Sequence, residues 1–247
     1  MKDHVGIIGG SGFYDIPDLQ HKELVTVHTP YGEVDLFTGI YMGKPLTFVC
    51  RHGSSHNTPP HKINYRANIY ALQKHGVGAV VATNAVGGIS QKSEPGRFVV
   101  PDQVIDYSWG REHTFFDEFS TELAHVDFSQ PFDASMRNEI CSVLSSRKHS
   151  FSADGVYGCT QGPRMETVAE VKRMHQDGCD MSGMTLMPEA ALAREAQLSY
   201  ASLCFSVNWS AGINGAISMM AIRKNLNASV SKVRDLLPEL IERIRSR

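Results

Sequence analysis

Several short segments carry groups able to work on an anion and on a heterocycle. Arg51-His52-Gly53 joins a planar fork of N–H donors to an imidazole, a set suited to phosphate, with Ser54, Ser55 and His56 close behind. Read alone, a surface loop holding a salt bridge is the simpler account. Gly9-Gly10-Ser11-Gly12 follows an apolar run, where backbone N–H groups can cradle an anion. Asp15 stands where G-x-G-x-x-G needs its third glycine, and no Gly-Lys-Ser/Thr follows, so neither a dinucleotide fingerprint nor a Walker loop is present. A plain glycine turn remains a second reading there. Thr83-Asn84-Ala85-Val86-Gly87-Gly88 closes another apolar run, at the strand end where ligands of open α/β sheets collect; a polar turn explains the glycines but not Thr83-Asn84. Glu166, in Gly162-Pro163-Arg164-Met165-Glu166-Thr167, is expected in the first turn of a helix, where a carboxylate complements the dipole. Asn208, in Asn208-Trp209-Ser210, offers an amide that both donates and accepts, which suits a heterocycle edge as well as an ordinary turn.

Metal and nucleophile chemistry find less support. His52 and His56 are four apart, but Gly-Ser-Ser between them is a loop sequence and no Glu follows His52. No Gly-x-Ser-x-Gly surrounds Ser11, Ser54 or Ser55, so no hydrolase nucleophile is indicated.

The elements that must position these groups alternate between strand and helix. Val5 to Ile8 reads as a buried strand delivering the glycine loop. Residues 24–50 read as hairpins with turns at Pro30-Tyr31-Gly32 and Gly43-Lys44-Pro45. A helix is expected over 63–75, a doubly buried strand at Ala79–Ala82, and a strand around Phe98-Val99-Val100 ended by Pro101. Val168, Val171 and Met174 share a helix face closed by Gly178; Glu189 to Leu198 form another helix, leading into a strand around Ala201–Val207. Val230, Val233, Leu237, Leu240, Ile241 and Ile244 mark a last helix, with Pro238 a kink position. No linker, charge block or repeat interrupts residues 1–247, so one α/β domain with a mixed, partly parallel sheet is expected.

Composition excludes rather than identifies. The chain has 247 residues, 42% hydrophobic and 20% charged, with a formal charge of −2. Without a basic excess, neither nucleic acid nor an anionic membrane is expected as a partner. The first apolar run is too short for a signal peptide, and no window approaches the ~20 apolar residues of a membrane span. The five cysteines are scattered without a Cys-x-x-Cys pair, which favours neither disulfides nor zinc and places the chain in a reducing cytoplasm.

Taken in order, Gly9-Gly10-Ser11-Gly12, Arg51-His52-Gly53, Asn64-Tyr65-Arg66-Ala67-Asn68, Thr83-Asn84-Ala85, Gly162-Pro163-Arg164, Met184-Thr185-x-Met187-Pro188-Glu189 and Asn208 resemble the trimeric purine nucleoside phosphorylase and methylthioadenosine phosphorylase family along nearly the whole chain. The resemblance implies an α/β fold in a single domain, with a distorted mixed β-sheet flanked by helices, assembled as a homotrimer. It implies phosphorolysis of a purine nucleoside, with inorganic phosphate as co-substrate and no metal or organic cofactor. By position, Ser11, Arg51, His52, the Thr83-Asn84-Ala85 turn and Thr185 look like the phosphate pocket, with Arg51, His52 and Asn208 as the catalytic set. Met184 is similar to the residue that meets the ribose hydroxyls, and Met165, Glu166, Asn208 and Ser210 would meet the base. His125 resembles a residue lent to the sugar site by a neighbouring subunit.

Relatives that take 6-aminopurines carry aspartates at the positions of Asn208 and Ser210 and a serine at that of Glu166; this chain differs at all three. An ionised Glu166 accepts from N1–H of a 6-oxopurine but confronts the N1 lone pair of adenine, and Asn208 can donate to O6 or N7. A buried unpaired polar group costs ~1–3 kcal/mol, so two mismatches discriminate strongly. Aligning Gly215-Ala216-Ile217-Ser218-Met219, with a short deletion after Ser210, puts Met219 where enzymes for ordinary nucleosides hold a histidine for the 5′-hydroxyl; a thioether there suits a methylthio group. The implied substrate is S-methyl-5′-thioinosine. The alternatives are a general inosine/guanosine phosphorylase, a methylthioadenosine phosphorylase and, from another class, a non-catalytic nucleotide-binding α/β protein.

Overall fold

The computed structural model describes residues 4–16, 18–117 and 125–246. Its organising strand is β5 (Ala79–Gly88), buried for most of its length. Along one edge runs the parallel β11 (Ser199–Trp209), paired from Ala79 to Gly88. The other edge is shared. β1 (Val5–Gly9) pairs in parallel with Ala79–Ala82, and β10 (Met181–Gly183) pairs antiparallel at Gly87 and Gly88. Between them, residues 83–86 keep an open edge. This notch, at the carboxyl end of β1, is the distortion in the sheet that makes room for a site.

From β1 the sheet continues to β4 (Lys44–Cys50), β3 (Gly32–Tyr41) and β2 (Gln20–Thr29), the hairpins expected from the alternation and its turns. Past β10 it continues to β9 (Val156–Cys159) and β7 (Gln103–Asp106). Beyond β11 come β6 (Phe98–Val99) and β8 (Phe151–Ser152), completing 11 strands among the described residues. Strand alternation divides the core. Ile8, Val80 and Ala82 face the layer of α1 (Tyr65–Lys74) and α4 (Leu186–Glu195), whereas Ile7, Ala79 and Val81 face α2 (Ala134–Ser146) and α5 (Met219–Arg245). α3 (Val168–Gln176) packs Val171 and Met174 into a smaller cluster with Ile89 and Cys179. The expected α/β architecture, a mixed sheet flanked by helices, is present.

Three readings of the sequence are corrected here. Thr83-Asn84-Ala85 is strand rather than turn, because β5 extends to Gly88. Glu166 lies before α3 rather than in its first turn. The cap is Thr167, in a capping box with Glu170, and Arg164 pairs with Glu170 at 2.7 Å, so Glu166 is left out of the capping set. α4 ends at Glu195 rather than Leu198; Met187 is extended, so its regular turns start at Pro188, next to the expected Glu189. The last helix contains Pro238 within its 27 residues. Among the described residues no helix is long and apolar enough to cross a membrane.

Candidate active site

A cleft opens at the notch in the sheet, and the strand ends supply its walls. At one end, the chain leaves β1 through Gly10, whose N–H donates to Thr83 Oγ1 at 3.1 Å, while the Thr83 hydroxyl lies 3.3 Å from the Ile8 carbonyl. A Cβ on Gly10 would stand 2.6 Å from the Thr83 carbonyl oxygen and 2.9 Å from Arg51 Nη1, so only glycine fits this crossing. Thr83 is buried with its hydroxyl committed to this junction and lies beneath the cleft rather than on its wall. Ser11 and Ala85 do line it.

Arg51, delivered by the end of β4, fills the open strand edge. Nη1 donates to the Thr83 carbonyl at 2.9 Å, and Nε and Nη2 donate to the two oxygens of Glu189 at 2.6 and 2.9 Å. Glu189 accepts a third bond from the Tyr200 hydroxyl at 2.7 Å. Both side chains of the pair are 1% exposed. Burial by itself would pull the guanidinium down, but the Glu189 carboxylate outweighs it and holds Arg51 above its ordinary value. Three of the five N–H groups of the guanidinium are engaged, leaving two for an anion.

His52 is oriented differently from the donor that the sequence suggests. Its Nδ1 is 2.9 Å from the Thr58 carbonyl, which only accepts, so Nδ1 carries the proton. Burial, reinforced by Arg51 and His56 against the Thr58 bond, pushes its pKa down to about 4. The ring is therefore neutral at neutral pH and Nε2 is an acceptor, not a second donor to phosphate. Thr185 Oγ1 donates to Asn84 Oδ1 at 2.9 Å, and Asn84 Nδ2 donates to Ser202 Oγ at 2.8 Å. Asn84 thus orients the Thr185 hydroxyl beside Arg51 and His52 on the cleft wall.

The other end of the cleft is built by β9, β10 and the end of β11. A bulge in β11 pairs Ser206 with Val86 and Asn208 with Gly87, so Val207 is the extra residue and Asn208 is re-aimed at the mouth of the strand. Asn208 Nδ2 donates to the carbonyl of its neighbour Trp209 at 2.7 Å. Glu166 Oε1 accepts from the Thr160 hydroxyl at 2.7 Å. Ser210 Oγ and Ser182 Oγ bond at 3.0 Å above Gly87, where a Cβ would sit 2.6 Å from Ser210 Oγ. Met165 and Met184 complete this part of the lining with Glu166, Asn208 and Ser210.

Two expected residues stand elsewhere. Met219 does not line the cleft. Ser218 caps α5 by accepting from Ala221 N–H, which makes Met219 the first helical residue, 55% exposed; the apolar wall is made by Ile217 before the cap and Ile222 one turn in. His125 is exposed and lies outside the cleft of its own chain. Of the remaining expected residues, Thr83 lies beneath the cleft and the others line it.

Glu189, Tyr200, Thr160, Ile217 and Ile222 also contribute and have no role in the sequence reading. Glu189 has a signal, an acid within the apolar run Leu186-Met187-Pro188-Glu189-Ala190-Ala191-Leu192, which requires a buried cation. The others show nothing in sequence: Tyr200 and Thr160 meet their partners only through the fold, and Ile217 and Ile222 face the cleft only because of where α5 starts.

The chain matches the family described as the phosphorylase superfamily over residues 4–242. A protein of Pseudomonas syringae pv. tomato named probable S-methyl-5′-thioinosine phosphorylase is 45% identical over 238 residues, covering 95% of this chain and 97% of its own. The 6-oxopurine nucleoside phosphorylase of Pyrococcus furiosus is 42% identical over 216 residues, covering 85% and 81%. The structure of methylthioadenosine phosphorylase from Schistosoma mansoni in complex with adenine superposes with a TM-score of 0.92 at 32% identity, covering 99% of this chain and 92% of that one. A match along almost its entire length and relatives this similar establish that the chain belongs to the phosphorylase superfamily.

Proposed function

We propose that this protein is a purine nucleoside phosphorylase-type pentosyltransferase that cleaves S-methyl-5′-thioinosine with phosphate, giving hypoxanthine and S-methyl-5-thio-α-D-ribose 1-phosphate. The observation that carries the reading is the base end of the cleft, where an acceptor, Glu166, and an amide, Asn208, stand in place of the carboxylate pattern of 6-aminopurine enzymes. A phosphate oxygen attacks C1′ as the C1′–N9 bond breaks, and the bonding pair leaves with the purine. Asn208 turns from the Trp209 carbonyl to N7 and O6, stabilising the charge that develops there. Arg51, Ser11, Thr185 and backbone groups beside Ala85 position the phosphate, while Glu189 keeps Arg51 in place. His52, with Nδ1–H on Thr58, offers Nε2 to a phosphate O–H. Met184 meets the ribose, and Ile217 and Ile222 supply the apolar surface for the 5′-methylthio group. Met165 covers the base.

In this reading phosphate is the co-substrate and the reaction calls for no metal or organic cofactor. In the reading we favour, the enzyme serves purine salvage in the cytoplasm as a homotrimer, with His125 reaching a neighbour's sugar site. Phosphate-dependent release of base from methylthioinosine, methylthioadenosine, inosine, guanosine and adenosine tests the activity. Turnover is expected to be highest on methylthioinosine. Equal or faster turnover of inosine and guanosine would instead favour a general 6-oxopurine phosphorylase, the reading that the Pyrococcus furiosus relative supports.

A further inference from the structure

Glu166 is held in the cleft by the hydroxyl of Thr160. We propose that Thr160 is a positioning residue for base specificity: its hydroxyl engages Oε1 of Glu166, which leaves the second oxygen to accept N1–H and sets the margin by which a purine bearing N1–H is preferred over one with a bare N1. The inference rests on the base site described under Proposed function.

Thr160 is fixed on every side but this one. It directly follows β9, and its backbone N–H donates to the Gly183 carbonyl of β10 at 2.7 Å. Its own carbonyl and that of Gln161 accept from Arg111 Nη2 at 3.0 and 2.9 Å, and Arg111 is itself buried. The hydroxyl has two acceptors within reach, Glu166 Oε1 at 2.7 Å and the Gly183 carbonyl at 3.3 Å. The nearer one is a carboxylate, and a carboxylate has no proton to give. The direction of the bond is therefore set, with Thr160 donating.

A hydroxyl holds a charged acceptor more tightly than a neutral one. A 6-aminopurine presents the lone pair of N1 to the second oxygen of Glu166, and to avoid it the side chain has to swing away from Thr160. Breaking that bond disfavours the 6-aminopurine by an amount on the order of 5- to 20-fold, about the worth of one hydrogen bond. For a 6-oxopurine no such movement is needed, because the second oxygen of Glu166 accepts N1–H directly. The bond therefore acts on the ratio between substrates more than on the rate with either.

The test compares kcat/KM for methylthioinosine and methylthioadenosine in the wild-type enzyme, Thr160→Val, Thr160→Ser and Glu166→Gln, with Tm as the control for folding. Thr160→Val keeps the shape and removes the donor, and the preference for methylthioinosine is expected to fall about 5- to 20-fold. Thr160→Ser keeps the donor and loses the methyl group, and the preference should stay close to that of the wild type. A packing role predicts the opposite order, so a preference lost in the serine variant and kept in the valine variant overturns the proposal. If Thr160→Val does not fold, Thr160→Ala takes its place in the same comparison. Glu166→Gln separates this idea from the one beneath it. A preference unchanged in that variant removes Glu166 from base recognition and sinks the underlying reading, whereas a preference lost there but kept in Thr160→Val defeats only the role of Thr160.

Discussion

The two ends of the cleft are built to different standards. At the end we assign to phosphate the polar side chains are buried and cross-linked: Arg51 is held by Glu189 and the Thr83 carbonyl, and Asn84 by Thr185 and Ser202. At the base and sugar end, Glu166 has one hydroxyl on it, Asn208 bonds to the carbonyl of its own neighbour, and Met165 is 39% exposed. The difference follows from what each end has to recognise. Phosphate is the same for every substrate, so a rigid, desolvated cradle costs nothing in versatility and removes reorganisation from the reaction. The nucleoside varies, and in the proposed function it is read by a few adjustable groups, so specificity can change there without disturbing the fold.

The largest effect should come from breaking the rigid end. Glu189→Ala leaves Arg51 buried without its partner, a change that costs about 3–5 kcal/mol in stability. A drop of several degrees in Tm with a large rise in KM for phosphate is expected; an unchanged Tm would contradict the account of this pair as the anchor of the site. Asn208→Ala should do the reverse, lowering kcat by about 10²–10³-fold with little change in Tm, since it removes a group aimed at developing charge and no buried bond between elements. Normal turnover in that variant would take Asn208 out of the mechanism.

Protonation offers a milder test. Burial favours the neutral rings of His52 and His4 and pushes both pKa values from 6.5 down to about 4. Between those values the unfolded chain binds more protons than the folded one, so stability rises with pH across the window. It should be fully present above about pH 6.5 and be lost progressively as the pH falls toward 4. Urea midpoints measured across this range should flatten in part in His52→Gln; an identical slope would show that another group titrates. The smallest effects belong to the sugar wall. Ile222→Ala should lower kcat/KM for methylthioinosine by about tenfold relative to inosine. Met219→Ala, at an exposed position, should change neither that ratio nor stability measurably, and the opposite pattern would restore Met219 to the site.

Much of the frame was legible in the chain. Continuous apolar runs mark β1 and the first half of β5, alternation with turn residues marks β2 to β4, and helical spacing marks α1, α3 and α5. The site residues could be found because they follow those runs, and in an α/β sheet the carboxyl ends of strands converge. β6 is found from Phe98-Val99-Val100 before Pro101, but β7 to β10 are harder to see: strands of two to four residues have too few positions to show a period. α2 does begin with a readable signal, Asp133 accepting from Met136 N–H, but its weakly patterned face hides it. The second half of β5 looked like a turn because Thr83 and Asn84 are polar. Their partners lie up to 118 residues away, and it is those partners that make a polar strand affordable in a core.

By itself, the sequence determined the kind of chemistry: an arginine for an anion, a glycine crossing where backbones touch, an acid and an amide for a heterocycle, and an order of motifs that marks the family. Local types and spacings are enough for that, because donors, acceptors and backbone freedom belong to the residues themselves. Only the tertiary structure decided which nitrogen of His52 bears its proton, that Glu189 clamps Arg51, that Thr160 holds Glu166, and that isoleucines rather than Met219 face the cleft. Each of these depends on side chains from separate elements meeting at hydrogen-bond or contact distance. A bulge of one residue in β11, or a helix cap one position earlier, is enough to change which side chain arrives there.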